Sequence, residues 1–407
     1  MPMPSTVLRR HPLFFIALMI LVALNLRPAL SSMAPLLMRI QQDLGLSASA
    51  IGALTTLPVV CLGAFAPVAL RLSRRLGAER ALSLGLLLLT IALVLRANSY
   101  TPLLYLGTLL AGAAIGIAGT LLPGLVKREL PQGADVVTGV YTMALCLGGA
   151  LGAGLTVPLA DLLGDWRFGL GSWAVLALIA LLAWRSSMPH PPRSTPDDVP
   201  TQGARPQLMR SLLAWQVTGY MGCQSSLAYI IFGWLPVLLQ YRGLGESEAG
   251  WLLATSITCQ LATALGAPWL ARLGRDQRPT ILALMTLTAS GIVLLLAAPL
   301  AWRWLGAVLL GLGQGGSFSM ALTLIVLRSN THALASQLSS MAQGFGYLLA
   351  ATGPLLVGIL LEYSQNMTLL VAVLLTYVTL AATFALLAGR RRRLDIDDQG
   401  RLVTVRH

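Results

Sequence analysis

Arg27 is the residue in this chain with the most unusual chemistry for its place. It stands in Asn25-Leu26-Arg27-Pro28, near the middle of an apolar run from Leu13 to Leu37. A run of that length spans a bilayer, and a cation at mid-bilayer costs from about 2.5 to more than 10 kcal/mol unless water, a partner or a ligand meets it. A guanidinium presents a planar fork of donors that suits a small anion or a strongly dipolar solute. Ser31 shares its helix face one turn on, Asn25 lies in the same short segment, and Pro28 loosens the local backbone and permits a bend. Two roles fit Arg27: bracing the helix bundle through carbonyls and polar side chains, or facing a cavity and attracting cargo. The acidic residues favour the second, because none of the 15 Asp and Glu lies in mid-span, nor do the four histidines.

Three further clusters could contact a solute. The first is Gln224-Ser225 with Tyr229 about one turn later; buried amides and hydroxyls need partners, so these face either a cavity or another helix. Trp234, near the end of the same span, is a gate residue or an interfacial anchor. The second cluster is Gln314 and Ser317, one helical turn apart within Gly311-Leu312-Gly313-Gln314-Gly315-Gly316-Ser317, and the third is Gln343 and Tyr347 before a hinge at Thr352-Gly353-Pro354. A cavity shared by Arg27, Gln224, Tyr229, Gln314 and Gln343 is the expected site. The glycine run from Gly148 to Gly154 has no lysine and lies in lipid, so it reads as close helix packing and not as a phosphate loop.

The elements that position these residues are membrane helices. The chain of 407 residues is 56% hydrophobic and 11% charged, against about 25% charged in a soluble domain. Apolar runs predict 12 spans, near 13–37, 48–70, 81–97, 102–126, 137–160, 168–185, 210–240, 248–271, 280–298, 301–327, 335–361 and 367–388. Arg9-Arg10 before the first run suggests a signal peptide, but the run is too long, so an uncleaved first helix is expected. A proline-rich linker at 186–209 separates residues 1–185 from 210–389, and a basic tail occupies 390–407. One constant shift carries Pro67 onto Pro268, Arg71-Leu72 onto Arg272-Leu273, Gly112 onto Gly313, Lys127 onto Arg328 and Gly152 onto Gly353. Two parallel six-helix repeats of this kind describe the major facilitator architecture: all-α, polytopic, with 12 transmembrane helices in two pseudo-symmetric halves.

Charge placement gives orientation and excludes other classes. The net charge of +13 concentrates in alternate loops, as at Arg71, Arg74, Arg75 and Arg80 or Arg390 to Arg393, whereas Arg39, Arg96, Arg167, Arg242 and Arg303 fall in the opposite loops. The positive-inside rule then puts both termini in the cytoplasm and leaves no need for a nucleic-acid partner. The four cysteines lie in apolar segments without metal-ligand spacing. An enzyme needs a clustered nucleophile, acid–base pair or metal site, which no span supplies, and a sensor would append a soluble domain. No cofactor is expected, and the partners expected of a monomeric carrier are its solute and the bilayer. With only Asp161 and Glu362 near the transport path, uniport, exchange or proton movement on the substrate fits better than a carboxylate relay.

Several segments carry a family resemblance. Arg71-Leu72-Ser73-Arg74-Arg75-Leu76-Gly77-Ala78-Glu79-Arg80 and Arg272-Leu273-Gly274-Arg275 resemble the inter-helix loop motif of the facilitators, which implies inner-gate roles for Arg71, Arg75, Arg80, Arg272 and Arg275. The usual aspartate is absent at Arg74 and Ala271, leaving Glu79 or Glu129 to substitute. Asn25-Leu26-Arg27-Pro28-Ala29, Gln224-Ser225 with Tyr229, Trp234-Leu235-Pro236 and Gly313-Gln314-Gly315-Gly316-Ser317-Phe318 together resemble the cyanate/nitroimidazole transporter family (the CynX/NimT group). That resemblance implies a bacterial inner-membrane permease for a small, flat, polar or anionic solute. Arg27 would pair with cyanate or with nitro oxygens, and Tyr229 or Trp234 would stack on a ring. The alternative within transport is an efflux carrier for hydrophobic drugs, which would not require a buried arginine.

Overall fold

The computed structural model describes residues 12–130, 134–187, 208–273, 276–330, 332–364, 366–396 and 402–406. The chain divides into two compact units, Met1–Thr195 with Phe232–Ala254 and Pro196–Ile231 with Thr255–His407. Most of the expected linker, and Arg275 of the expected gate, lie outside the described residues, as does the side chain of Arg272. Eleven helices among the described residues are long and apolar enough to cross a membrane. The eighth expected span is a helix as well, Glu246–Leu273.

The first unit is built from α1 (Pro12–Leu26), α2 (Pro28–Ser31), a 3-10 turn (Ala34–Leu36), α3 (Leu37–Leu44), α4 (Ala48–Leu76), α5 (Ala78–Arg96), α6 (Thr101–Glu129), α7 (Ala134–Leu163), α8 (Trp166–Gly171) and α9 (Trp173–Ser187). Its core joins Met19, Val22 and Ala23 of α1 with Leu82, Leu86 and Leu89 of α5 and with Ala114 and Ala118 of α6. The opposite face of α5 exposes Leu84, Leu87, Ile91 and Val94 at helical spacing. That face is a lipid-facing stripe, since in water it would be an unpaired apolar patch. Gly45 adopts φ +61° at the end of α3, and Ser47 then caps α4 by accepting from Ala50 N–H at 3.2 Å.

The second unit holds most of α10 (Leu212–Tyr241) and α11 (Glu246–Leu273), then α12 (Arg278–Leu296), α13 (Arg303–Leu327), α14 (His332–Tyr363) and α15 (Met367–Ala388). The basic tail forms an antiparallel hairpin, β1 (Arg392–Ile396) with β2 (Leu402–Arg406), in which Leu394 faces Thr404. The hairpin docks on the end of α13: Leu394 N–H donates to Arg328 O at 2.8 Å, and Asn330 N–H donates to Leu394 O at 3.0 Å. Arg328 itself is buried, donating from Nε to Ala388 O at 2.6 Å and from Nη2 to Gln277 Oε1 at 2.5 Å. Burial, aided by repulsion from Arg393, holds its pKa down to about 10, so the guanidinium stays charged at neutral pH. Arg328→Ala strips a buried carbonyl of its donor. It should lower stability by about 1–3 kcal/mol, checked by thermal unfolding of purified protein.

Candidate functional site

The bend expected at Pro28 is a break in the first span. Pro28 has no N–H, so Leu24 O loses its intrahelical donor, and α1 stops at Leu26 with Arg27 as the cap of α2. The ladder resumes with Ser31 N–H to Arg27 O at 3.0 Å and Ser32 N–H to Pro28 O at 2.9 Å. The next carbonyl, Ala29 O, accepts from Arg96 Nη1 at 2.5 Å.

Arg96 corrects an expectation. Charge placement expects it in an outer loop, but it is the last residue of α5 and only 2% exposed. A buried guanidinium carries a desolvation cost of several kcal/mol, and here it serves a carbonyl that the broken helix leaves open. No sequence signal separates such a residue from a loop arginine, since its partner lies on another helix.

At the break, the half-buried Arg27 side chain donates from Nη1 towards Cys146 Sγ at 4.0 Å, and its Cζ lies 5.3 Å from the centroid of the Phe232 ring. A thiol is a weak acceptor and the ring supplies a cation–π contact of roughly 0.5–2 kcal/mol. Among the described residues no carboxylate pairs with Arg27. Sequence reading missed Cys146 and Phe232, both of which look like ordinary apolar residues of their spans. Ser31 and Asn25 are engaged locally: Ser31 Oγ donates to Gly149 O at 2.7 Å, and Asn25 Nδ2 donates to Leu21 O at 2.7 Å. The glycine run of α7 packs as expected, with Gly152 against Ser31 and Pro28 and Gly148 against Leu24 O, the carbonyl that Pro28 frees.

The other candidate solute contacts, from Gln224 to Tyr347, belong to the second unit. Tyr229 and Tyr347 meet edge to face at 6.1 Å between α10 and α14. Tyr220 of α10 donates to Ser317 O of α13 at 3.0 Å, one turn from Gln224 on one helix and from Gln314 on the other. Gln224 is fully buried and donates to Ser225 Oγ at 2.8 Å, while its Oε1 has no partner among the described residues. Gln314 is 3% exposed, and neither of its amide atoms has a partner among the described residues. Ser317 Oγ bonds back to Gly313 O at 2.6 Å, and Gln343 donates to Ser339 Oγ at 2.8 Å. Of the residues expected at the gate, Arg71, Arg75 and Arg80 are exposed. Trp234 is 1% exposed, which fits neither an interfacial anchor nor a lipid contact.

At one end of the first unit lies an ion-pair cluster that the sequence did not disclose. Arg39 bridges Asp161, at 2.7 Å, and Glu246, and Arg167 bridges Asp43 at 2.7 Å and Asp165 at 2.6 Å. Burial raises the Glu246 carboxyl above its ordinary range, with Arg39 partly opposing the shift. The folded chain therefore holds that proton more tightly than the unfolded chain. The contribution of Glu246 to stability falls as pH rises from the ordinary value through the raised one.

The family model described as Major Facilitator Superfamily matches residues 13–354. The chain belongs to the major facilitator superfamily. This facilitator is 37% identical over 380 residues to an uncharacterised transporter, YycB, of Bacillus subtilis, covering 92% of each chain. It is 34% identical over 391 residues to a 2-nitroimidazole transporter of Escherichia coli, covering 95% of this chain and 98% of that one. It is 31% identical over 349 residues to the cyanate transport protein CynX of Escherichia coli, covering 86% and 90%. The family and these relatives are membrane transporters, not enzymes, and the resemblance to the cyanate/nitroimidazole group holds over most of the facilitator's length.

Proposed function

We propose that this facilitator moves a small, flat, polar or anionic solute, of the cyanate or nitroimidazole type, across the bacterial inner membrane. It works by alternating access, as a monomer with both termini cytoplasmic, and Arg27 is the central cation of its binding site. One observation carries the reading: a half-buried guanidinium at the break of a membrane helix meets, among the described residues, a thiol and an aromatic face and no carboxylate. An anion or nitro group would supply the acceptor the fork lacks, and the Phe232 ring offers a flat surface beside it. Two relatives are named as transporters of 2-nitroimidazole and cyanate, which supports the same chemistry.

We also assign solute contacts to Gln224, Ser225, Tyr229, Gln314, Ser317, Gln343 and Tyr347. The support is strongest for Gln314, whose bare buried amide costs about 1–3 kcal/mol unless something hydrates or binds it. Inner gating is assigned to Arg71, Arg75, Arg80, Arg272 and Arg275, and gating to Trp234.

The test is thermal unfolding of purified protein with a panel of small anions, cyanate included, and nitro-heterocycles. A ligand at 100 times its Kd stabilises the fold by about 2.7 kcal/mol. If no member of the panel raises the midpoint, the assignment fails. Coupling is tested separately. Asp161 is already engaged by Arg39, so transport at a fixed solute gradient should show no strong proton drive that Asp161→Asn abolishes.

A further inference from the structure

The docked hairpin and the start of α10 enclose a second polar site. A cleft of about 430 Å³ is lined by Arg210 and Ser211, by Leu212 and Gln216 of α10, and by Arg392, Leu402 and Thr404 of the hairpin. Two arginines from separate elements converge on it, and no carboxylate among the described residues lines it. Four other arginines are matched: Arg39, Arg167 and Arg278 pair with acids, and Arg328 with two oxygen acceptors. Arg210 and Arg392 have no side-chain partner among the described residues.

The hairpin fixes Arg392 in place. Residues two apart on a strand share a face, so Arg392 lies on the face of β1 that buries Leu394, the face to which Thr404 and Leu402 of β2 also belong. Leu394 is pinned by two backbone bonds to Arg328 and Asn330, and Asn330 Nδ2 adds a bond to Asp395 at 2.9 Å. Folding the tail thus brings a run of four arginines, Arg390 to Arg393, against the body of the unit. Like charges repel, and a bound anion would offset that repulsion.

The cleft also has a position in the membrane. Leu212, 71% exposed, is the first residue of a 30-residue membrane helix, so the cleft sits where apolar surface gives way to water. Its donors, two guanidiniums with Ser211, Thr404 and Gln216, suit phosphate oxygens, and Leu212 and Leu402 offer an apolar exit beside them. We propose that this cleft is a phosphodiester site that holds the headgroup of an anionic phospholipid. Basic pockets beside membrane helices recognise lipid headgroups by this combination of charge and depth.

The experiment uses the full chain purified in detergent. Its thermal midpoint is followed while titrating phosphatidylglycerol, phosphatidylcholine or inorganic phosphate, for wild type and for Arg210→Gln/Arg392→Gln. Phosphatidylglycerol should raise the wild-type midpoint, and phosphatidylcholine should not. Each arginine should be worth roughly fivefold in apparent affinity, so the double variant should need about 25-fold more lipid. Should the double variant fail to fold, the exposed Arg210→Gln carries the same test with a roughly fivefold shift. An unchanged response in the variants overturns the proposal. So does an inorganic phosphate response equal to that of phosphatidylglycerol, which would make the site one for a soluble anion. Neither Arg210 nor Arg392 belongs to the Arg27 site, so failure here leaves the transport assignment standing.

Discussion

Arg27→Ala is expected to abolish solute-dependent stabilisation and to reduce transport at sub-saturating solute by at least about 30-fold. Removing one member of a buried, hydrogen-bonded charge pair costs about 2–5 kcal/mol, and each 1.4 kcal/mol is tenfold in affinity. The unliganded protein should meanwhile be no less stable than wild type. In the described structure Arg27 contributes only a long contact to Cys146 Sγ and a cation–π contact to Phe232, so its removal also relieves a desolvated cation. This pairing of outcomes separates the two roles open to Arg27. A brace would lose stability and keep ligand response, whereas a solute ligand keeps stability and loses response. Arg27→Lys should fall close to alanine, because a compact ammonium cannot place two parallel donors on a carboxylate-like or nitro group. An alanine variant that still responds to the same ligand would remove the arginine from the site.

The second large effect concerns the helix contact that holds the break in place. Gly152→Val should lower the thermal midpoint of unliganded protein by several degrees or prevent recovery of folded protein. A Cβ at Gly152 would stand 2.6 Å from Ser31 Oγ and 2.8 Å from Pro28 Cα. Neither neighbour is the free end of a long side chain. Ser31 is fixed by its bond to Gly149 O, and Pro28 is backbone within the break. Overpacking of this kind costs about 1–3 kcal/mol for each misfit, and it would act on the segment that carries Arg27. Gly119→Ala is the control, because nothing lies within 4 Å of a Cβ there, and alanine favours the helix by up to about 1 kcal/mol. Equal midpoints for Gly152→Val and wild type would show that α7 does not clamp the broken helix as closely as the structure places it.

Much of this facilitator is legible in its sequence because lipid leaves so few options. A backbone in hydrocarbon must satisfy its own hydrogen bonds, so long apolar runs can only be helices, and their limits follow from composition. The same constraint made Arg27 conspicuous, and Pro28 beside it signalled the bend. The glycine run of α7 announced a close helix contact for the reason that only small residues permit one.

What the sequence could not show is which buried groups answer one another across helices. Arg96 resembles a loop arginine until Ala29 O is seen to need a donor, and Arg328 resembles an inner-loop cation until Ala388 O and Gln277 close around it. Phe232 and Cys146 become neighbours of Arg27 only when α7 and α10 arrive beside the break. The hairpin of the tail likewise depends on Leu394 finding the carbonyl and amide that the end of α13 leaves unpaired. Composition and periodicity are local and survive without a fold, so the spans and the cation within the first of them were determined by sequence. The partners of each buried polar group lie tens to hundreds of residues away, and only tertiary packing decided them.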